Sequence, residues 1–179
     1  MKTQIALFLG TLTVITISST AFAAGQINFT GEIVSAACDI KINNSSSNEI
    51  SLGKWPTSMF KAVGDKSTPQ SFTIDVANCA AGNYQVNFAG TADATNSKLL
   101  KVSAANGVGI AIANISGTSN LVNLNTAAGQ LDPNATFAAT GTGTTATGAL
   151  NLQAFYQATS TTVTPGKADA TVSITLQQK

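Results

Sequence analysis

Histidine, the commonest general base and a frequent metal ligand, is absent from this sequence. The side chains left to do chemistry are eight carboxylates, two cysteines and one tryptophan. The carboxylates are Glu32, Asp39, Glu49, Asp65, Asp75, Asp93, Asp132 and Asp169. Most fall in turn-like stretches or on the polar face of alternating stretches. None is marked as half of an acid–base pair of the kind that glycoside hydrolysis needs. The stretch Thr140–Gly148 contains G-T-G-T-T-A, nominally a phosphate-binding G-x-G-x-x-G/A. Its flanks read as strands and no helix follows to receive a phosphate, so the match carries nothing. No nucleophile elbow, Walker loop or calcium-loop spacing is found. Neither an enzyme nor a cofactor is expected, and with no histidine a zinc site is not expected either.

The two cysteines are Cys38 and Cys79. Their meaning depends on the compartment, and the first residues indicate export. Lys2 supplies a positive start, Ile5 to Ile17 an apolar run, and Ala21-Phe22-Ala23 a small-residue cleavage site. Residues 1–23 therefore read as a secretory signal, with the mature chain starting at Ala24. No later stretch is long and apolar enough to span a bilayer as a helix, so membrane insertion of the mature chain is not expected. In an oxidising compartment an even cysteine count implies a disulfide. Pairing Cys38 with Cys79 closes a loop of about forty residues, worth about 4 kcal/mol in the chain-entropy model.

Composition narrows the partners. Apolar residues make up 44% of the chain, but charged residues only 9%, against about 25% in ordinary soluble domains. All nine basic residues are lysine, and the net charge is +1. That leaves no electrostatic footprint for nucleic acid. Near-zero charge favours association, which suits a protein packed against copies of itself.

The elements that position these residues read as strands. Ile27, Phe29, Gly31 and Ile33 alternate with Asn28, Thr30 and Glu32, which predicts a strand with one buried face. Alternation also predicts strands over Cys38–Ile42 and Ser71–Asn78. In the second of these, Phe72, Ile74 and Val76 point inward. Tyr84, Val86 and Phe88 point inward from the next strand, with Gln85, Asn87 and Ala89 outward. Further strands are expected at Glu49–Leu52, Leu99–Val102, Val108–Ile115, Leu121–Leu124, Ala149–Ala158 and Ala168–Leu176. Gly109, Ala111 and Ala113 leave small side chains on one face of Val108–Ile115. Residues 54–69 read as irregular, with one helical turn near Ser58–Val63, and Asp132-Pro133-Asn134 as a turn. Lone Trp55 reads as a plug in the core or its rim rather than a sugar platform. Eight or nine short strands between Gly, Asn and Pro turns predict one all-β sandwich or barrel, with no second domain.

Taken in order, several motifs carry a family pattern. G-x-I-x-F-x-G-E-I-V-x-A-A-C runs from Gly25 to Cys38, followed by I-x-L-G at Ile50–Gly53 and F-x-I-x-x-x-x-C at Phe72–Cys79. A-F-Y-Q-A-T at Ala154–Thr159 and T-P-G-K-A-D-A-T at Thr164–Thr171 close the series. Over the whole mature chain this resembles the chaperone–usher pilins, particularly the major subunits of type 1 fimbriae. The resemblance implies an incomplete immunoglobulin-like sandwich that lacks its last strand. A donor strand from a neighbouring subunit completes it. Residues 24–34 would be the donor extension and 35–179 the pilin domain. Ile27, Phe29, Gly31 and Ile33 would plug the neighbour's groove, with Gly31 as the family's small donor residue. Gly166, Val172, Ile174 and Leu176 would form the groove edge where a periplasmic chaperone binds, and the Lys179 carboxylate would be its anchor. Gln178 departs from the family's usual aromatic, and the arm is shorter than in the nearest relatives.

The expected partners are identical or related pilin subunits, the chaperone and an outer-membrane usher. The expected destination is the cell surface, as a fimbrium. The leading reading is thus a structural subunit of an adhesive pilus, with a minor or adaptor subunit as the alternative. A self-complete secreted carbohydrate-binding sandwich is the reading from outside the family.

Overall fold

Alternation builds the strands and burial sorts their faces. Phe72, Ile74 and Val76 are buried while Thr73, Asp75 and Ala77 are only half-buried. This is the period-2 pattern of a strand with one face on a core. The structure, a computed structural model, describes residues 38–43 and 48–179. The segment 1–23, the arm 24–34 and its residues Ile27, Phe29, Gly31 and Ile33 lie outside the described residues.

Among the described residues there are eight strands: β1 (Asp39–Ile42), β2 (Gln70–Cys79), β3 (Gly82–Gly90), β4 (Leu100–Lys101), β5 (Val108–Asn114), β6 (Thr136–Ala139), β7 (Ala146–Ala158) and β8 (Val172–Gln178). They form a five-stranded sheet in the order β1-β2-β7-β5-β4 and a three-stranded sheet in the order β6-β3-β8. The pairs are antiparallel, as in β2 against β7, where Ile74 faces Leu150. The main core lies between the sheets and includes Ile74, Val86, Phe88, Ile112, Val122 and Leu152. The fold is all-β, with only two short 3-10 turns, Thr57–Met59 and Pro133–Ala135, among the described residues.

One side of the sandwich is stitched shut. Just past β6, Thr140 N–H donates to Thr147 O and Thr147 N–H to Thr140 O, at 2.9 and 3.0 Å. The chain thereby passes from the small sheet into β7 of the large one. On the opposite side the two sheets end in β1 and β8, and these edges bound the groove described below.

β5 is buried on both faces. Val108, Ile110 and Ile112 join the main core, while Ala111 and Ala113 pack in a second cluster with Leu99 and Phe155. The small face admits that second layer: a Cβ added at Gly109 would lie 2.9 Å from Leu99 Cβ and 3.0 Å from Leu100 O.

Several expectations need correction. Glu49–Leu52 forms no strand but runs as extended coil. Leu121–Leu124 makes only isolated bridges, Leu121 to Ala113 and Leu124 to Phe88. The last strand begins at Val172 rather than Ala168, because the chain before it turns aside at Asp169, whose backbone bonds Ser103 of another loop instead of β3. The short β6, with little alternation to mark it, was not expected. Gln85 also departs from its predicted outward face. It is 0% exposed, and its Oε1 accepts from Asp132 N–H at 2.9 Å while its Nε2 donates to Asn87 Oδ1 and Gln130 O.

Candidate functional site

Two open edges set the site. Among the described residues β8 pairs with β3 alone, and β1 with β2 alone. Between these edges runs a groove of about 1520 Å³. Its floor includes Phe72, Ile74, Ile112 and Ala154 from the large sheet. Ile40 and Ile42 of β1, with Ile50 and Leu52 of the coil, form one wall, and Val172 and Ile174 of β8 the other. The lining is thus mostly apolar and meets strand edges that carry backbone donors and acceptors. Such a surface is an aggregation hazard unless something covers it.

The disulfide fixes the root of the β1 wall. Cys38 and Cys79 are joined, with Cα atoms 4.7 Å apart and a sequence separation of 41. The link ties the residue before β1 to the last residue of β2. Asn78, in the left-handed region at φ 56°, sits within the register shift beside it, and its Nδ2 donates to Asp39 Oδ2 at 2.7 Å.

Gly166, Val172 and Ile174 all line the groove. Leu176 lies further along β8, where it packs partly buried against the main core and the Cys79 cluster. Lys179 closes the β3–β8 ladder, its N–H donating to Asn83 O at 2.9 Å. Its Nζ donates to Gln130 O and Gln177 Oε1. Gln178 lies over Gly82, where a Cβ would meet its Nε2 at 2.8 Å. Trp55 is half-buried in the groove wall, and its indole N–H donates to Leu52 O at 2.7 Å. It packs beside Gly53, whose φ of +77° favours glycine.

The end of the groove was missed from sequence. Residues 159–171 leave β7 as a strap and contribute Val163, Pro165, Ala168 and Ala170 to the lining. Tyr156 Oη donates to Ala168 O at 3.1 Å. Burial, and then the nearby Asp169 carboxylate, push the Tyr156 hydroxyl above the ordinary tyrosine range. The rim pair Lys167–Asp169, 3.8 Å apart and well exposed, adds little, as surface ion pairs do. The only signal for the strap in the sequence is the turn Pro165-Gly166. The alternation of Ala168, Ala170 and Val172 pointed instead to a longer strand.

A groove of this kind, in a sandwich of this order, has relatives. The family described as fimbrial protein matches residues 27–178. A type-1 fimbrial protein subunit of Serratia marcescens is 36% identical over 171 residues, covering 92% of each chain. A solved chaperone–usher pilus superposes with a TM-score of 0.59 at 20% identity, covering 91% of this chain and 100% of that one. The P pilus rod subunit PapA superposes with a TM-score of 0.60 at 20% identity, covering 79% of this chain and 99% of that one. At that identity the two structures speak for the fold, the incomplete immunoglobulin-like sandwich of chaperone–usher pilins. Sequence and fold agree, and the chain belongs to the fimbrial protein family, the structural subunits of surface pili.

Proposed function

We propose that this chain polymerises by donor-strand exchange, with its residues 24–34 laid into the groove of the next subunit. The observation that carries the reading is the apolar groove of about 1520 Å³ beside β8, a strand paired on one side only among the described residues. An added strand supplies two things at once. Its backbone continues the sheet from β8, and its alternate side chains enter the groove. Ile27, Phe29 and Ile33 have the size for this, at about 2 kcal/mol for each large side chain buried. Gly31 makes room where the groove is shallow. Before assembly, a periplasmic chaperone lends a strand to the same edge along Val172, Ile174 and Leu176, holds the Lys179 carboxylate and delivers the subunit to an outer-membrane usher. Covering the groove at every stage is what keeps so weakly charged a chain from aggregating.

Arm and groove can be tested separately in the full mature chain. Phe29→Asp on the arm should abolish sedimentable fibres yet leave binding of a free Ala24–Val34 peptide intact. Ile174→Asp in the groove should abolish both. Fibres of normal yield from either variant would refute the reading.

A further inference from the structure

We propose that the strap 159–171 is an end wall of the groove, and that Tyr156 and Ser103 are positioning residues that hold it in the shape an incoming strand needs. The inference rests on the strand-exchange reading and adds to it the residues that preform the site.

The strap is neither strand nor helix, yet it is fixed from two sides. From outside, the loop after β4 bonds to it in a short ladder. Ser103 N–H donates to Asp169 O, and the N–H groups of Ala104 and Ala105 both donate to Lys167 O, at 3.0, 2.8 and 2.9 Å. The Ser103 hydroxyl doubles this contact, donating to Lys167 O at 3.1 Å and accepting from Asp169 N–H at 3.3 Å. Gly166 sits against the same loop so closely that a Cβ would lie 2.8 Å from Ala105 N. From inside, Tyr156 reaches out of β7 and its hydroxyl donates to Ala168 O at 3.1 Å. Both Tyr156 and Ala168 line the groove. The hydroxyl thus sets the distance between the floor of the groove and its end wall.

None of these bonds belongs to the sheets. Tyr156 keeps its place opposite Ile110 through the β5–β7 ladder whether or not it carries a hydroxyl. Removing the hydroxyl loosens the strap on its inner side at Ala168 without dismantling the sandwich. A wall that must be ordered on binding costs affinity that a preformed wall does not.

The test uses the full mature chain with its disulfide intact and a dye-labelled peptide of the sequence Ala24–Val34. Peptide affinity is read by anisotropy, and fold stability by the urea midpoint without peptide. Tyr156→Phe and Ser103→Ala should each raise the peptide Kd about fivefold, the weight of one hydrogen bond. The urea midpoint should barely move, and Ser103→Thr should restore the affinity. The proposal is overturned if Kd stays within about twofold of wild type, or if every loss of affinity is matched by a loss of fold stability. Failure of the wild-type chain to bind the peptide would overturn the strand-exchange reading itself. Binding that Ile174→Asp abolishes but the hydroxyl variants leave untouched would overturn the strap alone.

Discussion

Tyr156 shows how a single residue answers to its surroundings. Burial first, then Asp169, raise the folded-state pKa of its hydroxyl above the unfolded value of about 10. A neutral form favoured by folding contributes stability that is complete below the unfolded pKa and is lost as pH rises through the folded one. Urea midpoints should therefore fall as pH climbs past about 10, and the Tyr156→Phe variant should fall less steeply. Identical slopes for the two proteins would remove the hydroxyl from the account. Asp132 is a buried acid of a different kind. It is 1% exposed and accepts from Asn123 N–H at 2.6 Å and Asn134 N–H at 3.0 Å. Asp132→Ala strands both donors beside the main core. A destabilisation of about 2–4 kcal/mol is expected in urea unfolding; a cost under about 0.5 kcal/mol would mean that solvent reaches both donors. At this scale the sequence was a poor guide. Gln85 looked like an outward residue because its neighbours alternate, but two of its three partners come from a loop some 45 positions away.

Among the elements, a strand with one buried face was legible, but strand ends were not. β2 carries its alternation on its own residues, so it could be read locally. Glu49–Leu52 alternates too, yet lies as coil along a groove wall. A strand is defined by its partner as well as by its own pattern. β8 shows the same limit, since its start is set by where Asp169 and Lys167 turn to bond Ser103 and Ala104. β1 is short and exposed, and the disulfide anchors it to β2. Replacing both cysteines with serine should cost about 4 kcal/mol in the chain-entropy model, measured as a loss of unfolding free energy in urea. A loss below about 1 kcal/mol would show that the β1 ladder holds unaided. β5 makes the opposite prediction. Gly109→Val drives a side chain into Leu99 and the Leu100 carbonyl, and should lower stability by about 1–3 kcal/mol through overpacking.

For the whole molecule, the open side of the sandwich and the sparse charge belong together. One side is stitched by the Thr140–Thr147 bonds and the other ends in two strand edges and an apolar groove. A fibre held by strand addition relies on backbone bonds and apolar burial, and with only 9% charged residues it has little for salt to screen. Fibres should therefore dissociate at nearly the same rate at low and high ionic strength, followed by light scattering after dilution into mild denaturant. A steep salt dependence would point to ion pairs between subunits instead.

The sequence by itself determined the all-β class, the cysteine pair, the export signal as an expectation, and the core-facing residues of the long strands. Each rests on residue types or on spacings of a few positions, which local chemistry can read. Tertiary structure alone decided that β1 bounds the groove opposite the β8 edge, that Gln85 and Asp132 meet in a buried polar node, and that residues 159–171 form a strap held by Tyr156 and Ser103. These depend on hydrogen bonds between segments far apart in the chain. Period and propensity along one segment do not say which distant segment will satisfy its backbone.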